Sequence, residues 1–511
     1  MDTSNASFSD PNTTLAKTYI ILILTVIFLF WRRRRFYKLS RLFPGPLELP
    51  IIGIFFHVYK PSLLLLKLKM VLEIYKTETI FTYFGPQPTL YTVDPNLFQK
   101  VFTSSKLYNK PNILYEPLGY LFGDGLITSK SDKWRLHRKL IDPAFRKPIL
   151  RNFLAEFNKN SKEFVKQLEQ LDGKSADNLN EMLRKLMLTN GMETMLGLNY
   201  HEENDLKVDD NILKHYTRVM KSTIVMVFLN ALKLSSFVKI FNVYKSRKFV
   251  FDFVDKLLKK RMLVLQNTNN NENKAPVDDI YLSYERNIFI DQIFKSYVRK
   301  RINWQDMLDE SNSIMFGAFD TTATLQYFSL LFLAMHPEVE ENVFYEIKTV
   351  FPEKNFNVSF EKLDNCVYLD MVIKETLRLA PSVPVVARGV VEDTQLTDDI
   401  MLPKDLIILI NIFQAHRNEN VWGANANTFN PDNFLPENIK QRHVYSYLPF
   451  AKGLRNCLGR NFAILATKVM LLHTIRNFRL TTDFKYEDLE YETTISLRLI
   501  KYPLLKIHKR G

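Results

Sequence analysis

Phe450-Ala451-Lys452-Gly453-Leu454-Arg455-Asn456-Cys457-Leu458-Gly459 holds one of only two cysteines in 511 residues, the other being Cys366. A lone cysteine is ordinarily a small buried hydrophobe. The neighbours of Cys457 suit another role. Gly453 and Gly459 let backbone come close to a flat ligand. Free backbone N–H groups near the sulfur, together with the charge of Arg455, favour a thiolate. The apolar run from Phe462 predicts a helix starting just after the cysteine, whose N-terminal dipole favours an anionic sulfur. The segment reads as a loop that presents a thiolate to a flat ligand.

The rest of the composition narrows the setting. Two cysteines exclude a disulfide framework and a Cys-rich zinc site, and they suit a cytosol-facing body. With 46% hydrophobic and 13% aromatic residues, a large buried core is available. No Gly/Ser-rich or Pro-rich linker divides the chain after residue 50, so the body reads as one large domain. The net charge of +14 fits a solvated basic surface, or attraction to anionic lipid or an acidic partner protein. No nucleic-acid-binding motif is present, so nucleic acid is not an expected partner.

Leu15 to Trp31 is apolar apart from Lys17, and Arg32 to Arg35 follow at once. About 17 apolar residues is the lower limit for a membrane span, and a thin bilayer such as that of the endoplasmic reticulum would suit it. A cleaved signal peptide would carry its charge before the apolar core and a small-residue cleavage site after it; neither holds. The positive-inside rule then places the body in the cytosol. The expected division is residues 1–14 as a short lumenal N-terminus, 15–31 as a transmembrane anchor, 32–50 as a basic, Pro-rich hinge and 51–511 as the catalytic body. Asn5-Ala6-Ser7 and Asn12-Thr13-Thr14 are sequons on the lumenal side. Pro44-Gly45-Pro46 and Pro50 make the hinge a stiff elbow.

Within the body, Phe81–Phe84 and Thr89–Thr92 flank Gly85-Pro86 as a β-hairpin. Residues 95 to 380 read as mostly helical. Gln266 to Lys274, polar and Asn-rich, reads as a mobile loop. Residues 208–250 read as an amphipathic helix pair, with a second membrane contact as the alternative. Asn303 to His336 predicts one helix about 50 Å long, capped by Asn303 and ended by Pro337. After Pro381 the pattern is irregular to about residue 460, and a helix and short strands close the chain. Helices outnumber strands without βαβ alternation, so the fold class is mainly α with small β-sheets (α+β).

The decapeptide carries all five fixed letters of Phe-x-x-Gly-x-Arg-x-Cys-x-Gly, the haem-ligand motif of the cytochrome P450 superfamily, which the chain resembles. Five fixed letters recur by chance about once in three million windows. The resemblance implies that Cys457 ligates the iron of haem b (iron protoporphyrin IX), where thiolate ligation favours O–O cleavage. It also implies that Arg455 binds a propionate and that Phe450 and Gly459 belong to the haem-binding loop.

Other landmarks follow in family order. Trp134 and Arg138 match Trp-x-x-x-Arg, share one helix face, and by resemblance meet a propionate; Arg388 matches the remaining propionate-binding arginine. Gly317-Ala318-Phe319-Asp320-Thr321-Thr322 resembles the oxygen-activation motif. There Thr321 can bond back to the helix carbonyl at Gly317 and open a groove, and Asp320 can link that groove to water. These two are the expected catalytic residues. Ala318 stands where the family usually has glycine, which narrows the groove. Glu375-Thr376-Leu377-Arg378 matches the Glu-x-x-Arg brace behind the cysteine loop. Asn433 replaces the brace's usual arginine, so a hydrogen bond is expected in place of an ion pair. The segments 369–374 and 442–450 resemble the animal branch that contains fatty-acid ω-hydroxylases. The position of that branch's haem-esterifying glutamate is Gly317, so covalent haem attachment is not expected.

The resemblance implies a cytochrome P450 fold and a monooxygenase that inserts one atom of O2 into a lipophilic small molecule. Electrons would come from NADPH through NADPH-cytochrome P450 reductase, with cytochrome b5 as a second donor. Membrane lipid is a further partner, and the location is the endoplasmic reticulum membrane facing the cytosol. A haem-thiolate isomerase or lyase that needs no reductase, and a non-enzymatic haem or ligand binder, are the rival functions.

Overall fold

A computed structural model describes residues 11–46, 53–54, 64–198, 210–231, 234, 243–271 and 287–511. The helices that matter below are α1 (Pro11–Arg33), α2 (Ser131–Ile141), α3 (Leu179–Met195), α4 (Asp210–Ala231), α5 (Val243–Asn271), α6 (Trp304–Met335), α7 (Val367–Leu379) and α8 (Arg460–Asn477). The main sheet uses β1 (Thr79–Phe84), β2 (Gln87–Thr92), β3 (Val385–Gly389) and β4 (Ile407–Asn411).

α6 is the axis of the body. Asn303 caps it by accepting from Asp306 N at 2.8 Å, while the Asp306 carboxylate accepts from Asn303 N at 3.1 Å. This reciprocal pair satisfies otherwise orphaned N–H groups. At the other end His336 leaves helical geometry and Pro337 opens the next helix. Leu325, Phe328, Leu330, Leu331 and Leu333 are all buried. With apolar side chains all round, this half has no solvated face; α3, α7 and α8 pack along it. An added Cβ at Gly191 of α3 would lie 3.8 Å from the Ala318 Cβ.

The expected hairpin is present and longer than its sequence signal. β1 pairs antiparallel with β2 from Thr79↔Thr92 to Phe84↔Gln87, and Gly85 turns at φ +62°. β2 then pairs parallel with β4, and β4 antiparallel with β3, giving the order β1-β2-β4-β3. The last two strands lie in the stretch expected to be irregular. Ile407-Ile408-Leu409-Ile410 is mostly buried, and such a continuous apolar run lacks the period-2 signal that marks a half-exposed strand.

A second correction falls at Gln266–Lys274. Residues up to Asn271 continue α5 as helix rather than forming a loop. Weak helix formers can extend a helix already nucleated by a packed segment, and residues 272–274 lie outside the described residues. α4 and α5 pack together as the expected helix pair. Of residues 208–250, for which a second membrane contact is the alternative, 208–209, 232–233 and 235–242 are outside the described residues, as are the sequon at Asn5 and Pro50.

At the N-terminus the apolar stretch forms one helix, α1, and its described side chains from Leu15 to Phe28 are exposed. Among the described residues, no helix is long and apolar enough to cross a membrane. The basic run after it is partly docked on the body. The Arg33 guanidinium lies 3.8 Å from the Tyr83 ring centroid and Arg35 pairs with Asp393 at 2.7 Å. The elbow is tied to β1: Phe81 N donates to Pro44 O, and a Cβ at Gly45 would sit 1.8 Å from Phe81 O.

Candidate functional site

The cysteine loop is held by its own backbone hydrogen bonds. Cys457 N donates to Phe450 O at 2.9 Å and Asn456 N to Gly453 O at 3.1 Å. Gly453 has φ +74°, and a Cβ there would lie 2.1 Å from Phe102 O, so no other residue fits. Gly459 differs: an added Cβ meets nothing within 4 Å, so its smallness serves the space in front of it. α8 begins at Arg460, as the apolar run from Phe462 predicts.

That space is a cavity of about 1030 Å³. Phe450, Arg455, Cys457 and Gly459 of the loop border it, with Trp134 and Arg138 of α2 and Gly317, Ala318, Thr321 and Thr322 of α6. Val227 and Phe228 of α4 and Val385 of β3 also line it. Cys457 is accessible only in the sense that it faces this interior space. Burial pushes its thiol up, while the Gly459 N–H and the charges of Arg138, Arg460 and Lys110 pull the other way without winning. A metal cation bound at this sulfur would release its proton. Cys366 offers no alternative. It is buried outside the cavity, with its thiol pushed up to about 11 by burial and by Glu346.

The polar part of the lining is one-signed. Lys110, Arg138 and Arg455 border the cavity and, among the described residues, no Asp or Glu does. Burial and the nearby charges of Arg455 and Arg388 hold Lys110 well below its ordinary value. Burial and Arg388 push Arg455 down to about 9. Arg455 donates to Ser129 O at 2.8 Å and stacks 4.1 Å from the Trp134 ring centroid, yet its Nε and Nη1 make no hydrogen bond. Buried cations without anions are costly. The cluster, a facing thiol and a roomy apolar wall fit a flat group carrying two carboxylates and a metal, which is what haem is.

The expected propionate residues divide. Trp134 and Arg455 are in place. Arg138 lines the cavity but is already held, by Asp142 at 2.9 Å and by Asn456 O at 3.0 Å, so it also clamps the cysteine loop to α2. Arg388 does not line the cavity; it is buried, donates to Ala387 O, and acts on Lys110 and Arg455 through charge. Lys110 was not legible, because Asn109-Lys110-Pro111 has no spacing that marks it. α2 itself is pinned to α6 by His137 Nδ1 and Glu310 Oε1 at 2.6 Å, both buried.

On α6, Thr321 Oγ1 donates to Gly317 O at 2.7 Å, the expected back-bond, and Ser382 Oγ donates to Thr321 O at 2.8 Å. A Cβ at Gly317 would meet nothing within 4 Å. Asp320 corrects the expectation of a carboxylate linking the groove to water. It is 1% exposed and does not line the cavity. One residue along a helix turns the side chain by about 100°, which carries Asp320 to Arg498 (2.9 Å), Ser496 (2.5 Å) and Arg184 (3.3 Å). Burial would raise its pKa, but Arg498 and Arg184 win and hold the carboxyl below its ordinary range.

Behind the loop, Glu375 and Arg378 of α7 form a bidentate pair with both bonds at 2.7 Å and no exposure. Arg378 also donates to the carbonyls of His416, Ala426 and Thr428. Asn433 Nδ2 donates to Glu375 Oε1 at 3.1 Å, the expected hydrogen bond. Sequence reasoning missed Arg442, which donates to Asn433 O, stacks 4.2 Å from the Trp422 ring centroid and feels Glu375 electrostatically. It restores a cation near the brace.

Comparison with known proteins agrees with this geometry. The family model described as cytochrome P450 matches residues 43–506. Probable cytochrome P450 313a4 of Drosophila melanogaster is 34% identical over 495 residues, covering 96% of this chain and 98% of its own length. Probable cytochrome P450 4ac1 of the same organism is 33% identical, covering 85% and 84%. The crystal structure of the cytochrome P450DA heme domain has the same fold, with TM-score 0.75 over 92% of this chain and 98% of that one, at 18% identity. A family model matching residues 43–506 and relatives more than 30% identical over most of the chain show the kinship: the chain belongs to the cytochrome P450 family, and it is a haem-dependent monooxygenase of that family's animal branch.

Proposed function

We propose that Cys457 is the axial iron ligand and that this enzyme oxidises a lipophilic small molecule at the endoplasmic reticulum membrane. The observation that carries this reading is that one apolar cavity is bordered by both Cys457 and Thr321. Bound haem supplies the oxygen-activating iron. The chain supplies everything around it. Arg455 and Lys110 receive the two carboxylates, with Trp134 stacked on Arg455 and Arg388 adding charge from behind. The Phe450 carbonyl and the Arg138 clamp fix the height of the Cys457 sulfur. Phe228, Val227, Ala318 and Val385 exclude water and leave room for an apolar substrate. Thr321 moves a proton at Oγ1, turning from Gly317 O to the cavity. Asp320 serves as a positioning residue, fixing this turn of α6 through Arg184, Arg498 and Ser496.

Electrons are assigned to NADPH through a flavin reductase, with cytochrome b5 as a second donor. Exposed Arg135, Lys139 and Arg460 around the cysteine loop support docking of an acidic partner there. The apolar exposed face of α1 and the basic residues after it support attachment to membrane lipid. The test is reconstitution with haem, reductase and a panel of lipophilic compounds. Oxygenated product formed in proportion to NADPH is the expected result. Product from a peroxide substrate without NADPH would instead make it an isomerase or lyase, and haem-band shifts without turnover would make it a binder.

A further inference from the structure

A second cavity, of about 490 Å³, opens between α3 and α4. Arg184, Lys214, Arg218 and Lys221 line it, and Glu181 is the one acidic residue among the described lining. Lys214, Arg218 and Lys221 fall at spacings of four and three along α4, so they share a face. Like charges at that spacing are mildly destabilising. An ordinary solvated basic face would explain these three alone. It does not explain Arg184, which is only 5% exposed. Arg184 Nη1 donates to Thr217 Oγ1 at 2.7 Å, and Thr217 spends its own proton on Leu213 O. Arg184 Nε and Nη2 make no hydrogen bond, although Nη2 lies 3.3 Å from Asp320 Oδ1. Arg184 thus stands at the cleft wall as a buried guanidinium whose Nη2 faces Asp320, and with the three cations of α4 it gives the described lining four positive charges against one carboxylate, a balance that phosphate and carboxylate groups select.

We propose that this cleft is a second binding site, for the phosphate or carboxylate group of a small anion or lipid headgroup, separate from the haem cavity. Val225 lines both cavities, so an anion bound here sits one helix wall from the substrate space. It would also compete with Asp320 for Arg184.

The test uses the full-length, haem-loaded protein. One arm measures equilibrium binding of inorganic phosphate by titration calorimetry. The other measures flotation with neutral phosphatidylcholine vesicles with and without phosphatidic acid. Each is repeated with the triple variant Lys214→Gln/Arg218→Gln/Lys221→Gln and with Glu181→Gln. We expect saturable binding in at least one arm, weakened at least tenfold in the triple variant and strengthened by Glu181→Gln. Binding of phosphate identifies a free anion, and a response confined to phosphatidic acid identifies a headgroup. No saturable binding in either arm, or binding equal in the triple variant and wild type, overturns the site. The triple variant changes exposed residues of α4 outside the haem cavity, so its haem spectrum should stay that of the wild type.

Discussion

Glu375→Gln is a nearly isosteric change at the brace behind the cysteine loop, and its cost can be worked from the partners it disturbs. The carboxylate takes two bonds from Arg378 at 2.7 Å and further bonds from Asn430 N at 2.8 Å and Asn433 Nδ2 at 3.1 Å. Neither Glu375 nor Arg378 has any exposure. The variant keeps its oxygen for Asn430 and Asn433 but sets an amide N–H2 against the guanidinium and strands a buried charge. Removing one partner of such a pair costs about 3–5 kcal/mol, against a typical total stability of about 5–15 kcal/mol. Arg378→Met should cost more than Glu375→Gln, because three carbonyls also lose their donor, at about 1 kcal/mol or more each. The double variant Glu375→Gln/Arg378→Met leaves no stranded charge, so its loss should fall short of the sum of the singles by more than 1 kcal/mol. Urea unfolding of the haem-loaded protein, followed by tryptophan fluorescence, measures all three, and Trp422 lies 4.9 Å from the Arg378 guanidinium. Single variants within about 1 kcal/mol of wild type, or strict additivity, would refute the reasoning.

Thr321→Ala should still reduce and bind oxygen but release more peroxide and less product per NADPH, because positioned proton transfer is worth about 10²–10⁴-fold; equal product per NADPH would remove Thr321 from the relay. Gly453→Ala should prevent the cysteine loop from forming, whereas Gly459→Ala should fold and lose haem affinity; circular dichroism and haem titration separate the two, and a folded, haem-replete Gly453→Ala would contradict the close approach to Phe102 O. Deleting residues 1–31 should move the protein toward the soluble fraction while haem binding persists, since α1 packs little on the body; a truncated protein that folds well but takes up no haem would show the anchor segment is not separable.

Much of this site is legible because its residues act locally. The back-bond of Thr321 to Gly317 O and the capping of α6 by Asn303 follow from spacing and backbone geometry, whereas Gly453, expected to let backbone approach a flat ligand, instead approaches Phe102 O. The Asn433 bond to Glu375 was legible only through the family resemblance of the brace. What escaped the sequence depends on chain segments that meet only in space. Lys110 joins Arg455 from more than three hundred residues away, and Arg442 takes up the charge that Asn433 lacks. Asp320 shows the same limit in reverse. Its adjacency to Thr321 suggested a shared groove, yet the helical turn between them and the distant Arg184, Ser496 and Arg498 send its carboxylate elsewhere. β3 and β4 escaped because fully buried strands have no alternation to read.

The central claim is that Cys457 holds the iron, and the absorption spectrum of the reduced carbon monoxide complex tests it most directly. Wild type and Cys366→Ser should both give the thiolate-type band, since the Cys366 thiol is buried away from the cavity. Cys457→Ser should lose that band while keeping its folded helical content. A thiolate-type band that survives in Cys457→Ser would contradict the assignment and move the ligand elsewhere.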